Sequence, residues 1–246
     1  MEIVLGFIIA LAISLTGVGA GSMTTPLLVL LLHVSPPTAV GTALAFGAIV
    51  KTVSVPSYAF RRQVNFRILG FLFAGGVPGV LIGSLALDRL KNGPYTKALY
   101  FVLGTLIVGT AILHLYRVFL PSARPTIRDH SRWLPWIAAP IGAEVGFSSA
   151  GAGALGSLVL LGLTPLSAAE VIGTDLCFGL GLSAIGSLIQ VGAGNYDGAL
   201  LLKLVVGGIA GALTGATLAG RVAQKPLRVG LLLVLIVLGC QLAFHA

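Results

Sequence analysis

Hydroxyl side chains gather around two glycine-rich breaks in this chain. Thr16, Ser22, Thr24 and Thr25 flank Gly17-Val18-Gly19-Ala20-Gly21, and Ser148, Ser149 and Ser157 flank Gly151-Ala152-Gly153. An apolar run follows each break and reads as a helix, so each break ends on a helix start. Such a start carries unsatisfied backbone N–H groups and the positive end of the helix dipole. Glycine has no Cβ, which lets a ligand come close to those amides. Two starts of this kind meeting within a membrane would hold an anion without any formal positive charge. The candidate ligands are Gly19, Gly21, Ser22 and Thr24 at the first break, and Ser148, Ser149, Gly151 and Gly153 at the second. Thr42 and Thr174, a turn or more into later segments, are candidates to complete the cradle.

Lys51, Asp175 and Glu144 fall well inside apolar segments, where a charge costs about 2.5–3.5 kcal/mol on insertion scales and marks a functional suspect. Lys51 either attracts the anion, pairs with a carboxylate, or snorkels to the surface. Asp175, directly after Gly173-Thr174, either carries a proton, couples to a cation, or pairs with Lys51. Glu144, ahead of the second break, is a similar candidate. The first copy of the pattern described next has Ala43 and Ala12 at the matching positions. Lys203 near a segment end is expected to snorkel, and Glu170 at a segment start is expected to complement the helix dipole.

Both breaks belong to a repeat of 132 residues. That shift carries Gly19-Ala20-Gly21 onto Gly151-Ala152-Gly153, Gly41-Thr42 onto Gly173-Thr174, and Phe46-Gly47 onto Phe178-Gly179. It also carries Gly75-Gly76, Gly79, Leu81, Gly83 and Arg89 onto Gly207-Gly208, Gly211, Leu213, Gly215 and Arg221. The glycines of this second group read as packing ridges, because small residues let membrane helices approach closely. The 246-residue chain is 57% hydrophobic and only 9% charged, with a mean hydropathy of +1.04. A soluble domain carries nearer a quarter of its residues charged, so these values indicate a polytopic membrane protein.

Ten helical segments follow: 3–16, 22–33, 37–60, 66–87 and 95–120, then 133–149, 153–163, 167–191, 197–222 and 226–244. The expected division is a first repeat at 1–120, a cytoplasmic connecting loop at 121–132 and a second repeat at 133–246, all within one membrane domain. The first two segments of each repeat are too short for a ~30 Å hydrocarbon core, so either thin crossings or a re-entrant hairpin fits them. With Arg61-Arg62 placed in the cytoplasm, ten basic residues fall on inner loops and three on outer ones, a strong positive-inside bias. This favours an all-α fold of two inverted repeats, each a glycine-broken helix pair plus three transmembrane helices, with both termini outside. Reading each broken pair as one kinked crossing gives parallel copies and a division of seven against six.

The net charge of +8 is accounted for by these loops, and nucleic acid is not an expected partner. Met1-Glu2-Ile3 lacks the basic start of a cleaved signal, and the first helix is expected to stay. Cys177 and Cys240 lie in apolar segments and do not suggest a disulfide framework. His33, His114, His130 and His245 form no metal-ligand spacing, and Ser148-Ser149 has no identifiable base. Neither enzyme activity, a cofactor nor a metal is expected.

The stretch Ser35-Pro36-Pro37-Thr38-Ala39-Val40-Gly41-Thr42, with Glu170-Val171-Ile172-Gly173-Thr174-Asp175-Leu176 in the second copy, resembles the TauE/SafE sulfite exporter family, also called the toluene sulfonate uptake permease family. The likeness extends over essentially the whole chain. It implies a multi-pass permease of the bacterial inner membrane for small sulfur oxyanions such as sulfite, or for organosulfonates. The family is often described with about eight crossings. The expected activity is secondary transport, read as export, with Asp175 or Glu144 as the proton carrier. A passive anion channel and a membrane subunit of a larger complex are the alternatives. The expected partners are the anion and membrane lipid, and a homo-oligomer is compatible with the sequence.

Overall fold

The computed structural model describes residues 1–16, 20–91, 96–119, 130–151, 153, 155–218 and 224–244. They fold into α1 (Glu2–Thr16), α2 (Ala20–Leu32), α3 (Pro36–Phe60), α4 (Phe66–Lys91), α5 (Thr96–Phe119), α6 (Leu134–Ser148), α7 (Leu155–Leu163), α8 (Ala168–Gly192), α9 (Gly198–Leu218) and α10 (Gln224–Phe244). A 3-10 turn, Ser131–Trp133, leads into α6, and there is no strand among the described residues. Most of the connecting stretch expected at 121–132 lies outside the described residues. Helices are what an apolar chain must form where no water can satisfy its backbone.

Local chemistry sets the helix ends. Pro36 and Pro37 open α3, where a missing N–H costs nothing. Asn65 and Asp197 cap α4 and α9, each accepting through Oδ1, from Ile68 N–H (3.1 Å) and Leu200 N–H (2.9 Å). Glu170 does more than complement a dipole. It completes a capping box with Ser167 at the start of α8. Helix α4 continues one turn past the expected 66–87, because Asp88 and Lys91 pair with each other and bond to residues beyond α8.

Among the described residues, five helical stretches are long and apolar enough to cross a membrane: Phe66–Lys91, Lys97–Tyr116, Ala168–Gly192, Gly198–Gly215 and Pro226–Phe244. Large apolar side chains such as Ile82, Leu188 and Leu202 are exposed on them, as a lipid-facing surface requires. The members of the broken pairs are shorter. At ~1.5 Å per residue, their 9 to 15 residues reach about 14–22 Å, short of a ~30 Å hydrocarbon core.

Contacts recur under the 132-residue shift. Added Cβ atoms at Gly75, Gly79 and Gly83 on α4 would run into the backbone carbonyls of Pro135, Ala139 and Ala143 on α6. At Gly207 and Gly211 on α9 they would meet the carbonyls of Ile3 and Phe7 on α1, and Gly215 abuts Ser14 and Leu11. Gly76 packs on Phe178, and Gly208 on Phe46. These glycines are the packing ridges anticipated from the sequence, and each ridge joins a helix of one half to a helix of the other.

Helix directions define how the halves are related. Gly186 faces Leu44, whereas Lys51 reaches Gly179 and Ser183, so α3 and α8 are antiparallel. Gly104 packs on Ala243 and Gly239 on Val108, so α5 and α10 are antiparallel too. The partner of Lys51 is Ser183, the residue 132 positions further on.

Candidate functional site

Helix α2 begins against the residue that ends α6. Ser149 takes a left-handed conformation (φ 61°), its N–H donating to Val145 O at 2.9 Å. Its carbonyl stands where a Cβ on Gly21 would be, so the two backbones touch only because residue 21 is glycine. Ser149 Oγ donates to Gly21 O (3.1 Å) and lies 2.6 Å from Thr25 Oγ1. Since the Ser149 proton is engaged on Gly21, Thr25 is the donor of that second bond. All three residues are buried.

Past Ser149 the chain stays in unusual backbone territory, with φ of 88° at Gly151 and 100° at Gly153. Ser148 Oγ donates to Glu144 O (2.9 Å) and accepts Ala150 N–H (3.2 Å), tightening the turn. The Glu144 carboxylate folds over Gly151, its Oε2 3.0 Å from where a Cβ there would sit. Glu144 Oε1 is buried with no hydrogen-bond partner among the described residues. Ser22 and Thr24 are buried in the first turns of α2. Gly19 lies outside the described residues.

Asp175 is buried at 4% exposure on α8, its Oδ1 pressed on Gly156 in the first turn of α7. Lys51 is buried at 6% exposure. Its ammonium donates to Gly179 O (3.2 Å) and Ser183 Oγ (3.1 Å) instead of snorkelling. Residues 175, 179 and 183 are four apart, so one face of α8 presents both Asp175 and the acceptors of Lys51.

The structure therefore gathers Gly21 and Ser149 at one junction, Glu144 over Gly151, and Asp175 at the start of α7. Thr42 and Thr174 are used differently. Their hydroxyls accept Asp197 N–H (3.1 Å) and Asn65 N–H (3.0 Å), tying α3 and α8 to the entries of α9 and α4. Two residues gain importance. Thr25 was visible only as one more hydroxyl near a break, although its spacing of four from Gly21 puts both on one helix face. Gly156 gave no signal by itself, since its role depends on a partner 19 positions away in the chain. Among the described residues no cluster of His, Cys, Asp or Glu could hold a metal ion.

A helix start and hydroxyls meet at one buried junction, with the Glu144 carboxylate over the adjoining Gly151, and groups of these types suit a small anion. Set in an all-α, multi-pass membrane protein, this arrangement belongs with membrane transport. The comparisons with known proteins agree: residues 2–242 match the family model "Sulfite exporter TauE/SafE", and the chain belongs to that family. The chain is 29% identical to the "Probable membrane transporter protein YjnA" of Bacillus subtilis (strain 168), over 98% of each chain. It is 26% identical to the "Probable membrane transporter protein YdhB" of the same organism over 97% of each. A "Probable membrane transporter protein" of Xylella fastidiosa is 25% identical over 89% of this chain and 84% of that one. No solved structure matches significantly.

Proposed function

We propose that this protein is a secondary transporter of the bacterial inner membrane that exports a small sulfur oxyanion such as sulfite or an organosulfonate. The anion binds between the start of α2 and the α6–α7 turn, near Gly21, Ser22, Thr24, Ser148, Ser149, Gly151 and Gly153. Gly19 completes the first break, and Thr42 and Thr174 hold the surrounding helices in place. The observation that carries the reading is the direct backbone contact of Gly21 with Ser149, which brings the two breaks to one place. Sulfur oxyanions offer several acceptor oxygens, suited to N–H and hydroxyl donors.

In the bilayer the two halves, 1–120 and 133–246, lie inverted about the 121–132 connection, with both termini outside. Support comes from the antiparallel α3–α8 and α5–α10 pairs and from the basic-residue bias. The same inversion turns each broken pair back as a hairpin. Lys51 offsets charge in the interior, and Asp175 carries the coupled proton, with Glu144 as the other candidate.

The test is purified protein in liposomes, given sulfite, sulfate, thiosulfate and small sulfonates with and without a pH gradient. We expect saturable uptake of at least one sulfur oxyanion that responds to the gradient, and an Asp175→Asn variant that transports without that response. Current rising without saturation would make the protein a channel, and no flux of any of these anions would overturn the reading. A gradient response retained in Asp175→Asn and lost in Glu144→Gln would move the proton to Glu144.

A further inference from the structure

The seam between α4 and α8 holds a column of polar side chains that reaches from beside the α6–α7 turn to one face of the protein. Ser84 Oγ donates to Gly146 O (3.3 Å), three residues before Ser149. Gln190 Nε2 donates to Ser84 O (3.3 Å), and Gln190 Oε1 accepts from Asn195 Nδ2 (2.7 Å). Asn195 Nδ2 also donates to Asp88 Oδ1 (3.2 Å). Lys91 Nζ closes the column by donating to Asn195 Oδ1 (2.9 Å) and Ala193 O (3.0 Å) while paired with Asp88. Ser84, Gln190 and Asn195 are buried, and only Asp88 and Lys91 meet the surface.

The other half repeats the turn but carries different residues at the positions of the column. Gln63 N–H donates to Tyr58 O (3.0 Å) as Asn195 N–H donates to Gln190 O (2.8 Å), so the turn is repeated. Yet the equivalents of Ser84, Gln190, Asn195, Asp88 and Lys91 are Ala216, Tyr58, Gln63, Gly220 and Ala223. Alanine and glycine offer no side-chain donor or acceptor. Buried polar groups in a membrane interior are costly unless satisfied, and three of these five positions carry no polar side chain in the other half. The column therefore serves something that only one face needs.

We propose that Ser84, Gln190, Asn195, Asp88 and Lys91 form a latch that holds one mouth of the transport path shut. The glycine ridges bind α4 to α6 and α9 to α1 backbone against backbone, so those pairs move as units. The latch instead crosses from α4 to the end of α8 through side chains, which separate without dismantling a helix. Opening this mouth breaks the column from Lys91 inward, and the bond to Gly146 relays that opening to the α6–α7 turn. The basic-residue bias puts this mouth on the outer face.

The inference rests on the transport reading for its path, but its test reads access and not flux. A failure to find a transported sulfur anion would leave it standing. A reporter Ser22→Cys is placed in the full chain with Cys177→Ser and Cys240→Ser, which removes both native thiols. Its labelling by a membrane-impermeant thiol reagent is then measured from the outside and, in inverted vesicles, from the inside. Asn195→Leu removes the centre of the latch. Lys91→Met, at the partly exposed end of α4, is the variant least able to disturb folding. We expect outside labelling to rise roughly tenfold in both, the scale of losing hydrogen bonds to a charged group, with no rise from the inside. An unchanged rate in Lys91→Met, or equal rises from both sides, would overturn the latch.

Discussion

Gly79 against Ala139 and Gly211 against Phe7 are one piece of packing made twice, each glycine meeting a carbonyl of the other half. Asp175 against Gly156 is made once. At the equivalent positions the first half has Ala43 and Thr24, the bulk having moved from one helix to the other. Lys51 bonds Ser183, so a cation meets a hydroxyl at its own equivalent position. Glu144 answers to Ala12. The two halves share what fixes backbone to backbone and differ where a charge sits.

The largest effect should come from attacking the shared part. Leucine at Gly79 or at Gly211 must force a backbone carbonyl aside, beyond ordinary overpacking, which costs about 1–3 kcal/mol. Each variant is expected to lose more than ~3 kcal/mol, seen as loss of monodisperse protein after solubilisation. Gly109→Leu is the control, since nothing lies within 4 Å of a Cβ there. Collapse of one ridge variant and tolerance of the other would break the equivalence of the halves.

The unrepeated part is tested by making it repeat. Gly156→Thr alone drives a side chain into Asp175, and Asp175→Ala alone leaves space beside Gly156. Together they place at positions 156 and 175 the residue types of the first half, Thr24 and Ala43. Each single change is expected to lower stability by about 1–3 kcal/mol, and the pair by at least ~1 kcal/mol less than their sum. The double variant should fold, yet its transport should ignore a pH gradient. Additive losses would mean that the two sites do not share one packing volume.

Much of this was legible along the chain. Glycine, proline and hydropathy delimit the ten helices because in lipid the backbone has almost no alternative to a helix. The 132-residue spacing also names one contact, since Lys51 meets its own equivalent, Ser183. The end of α4 was less legible, because Asp88, Arg89 and Lys91 look like loop residues until their bonds across the seam are seen. Thr25 to Ser149 spans 124 positions and joins unlike parts of the two halves, so neither periodicity nor the repeat points to it. Thr42 and Thr174 show the reverse. They stand out in sequence because they repeat, and what they do twice is hold helix entries.

The smallest effect should come from the ion pair between Lys203 on α9 and Glu2 on α1, 2.9 Å apart and close to the Gly207–Ile3 contact. Lys203 does reach a helix end, as a snorkelling side chain would, but it finds a carboxylate there. Its equivalents are Phe71 and Leu134, and the α4–α6 ridge holds without any charge at that place. The two side chains remain 49% and 34% exposed, so solvent screens the attraction. Glu2→Gln is expected to cost at most ~0.5 kcal/mol, a fall of about 1–2 °C in the thermal midpoint for a chain of this size. A loss several times larger would mean that α1–α9 depends on charge where α4–α6 depends on close packing, and the two ridges would no longer be copies of one interface.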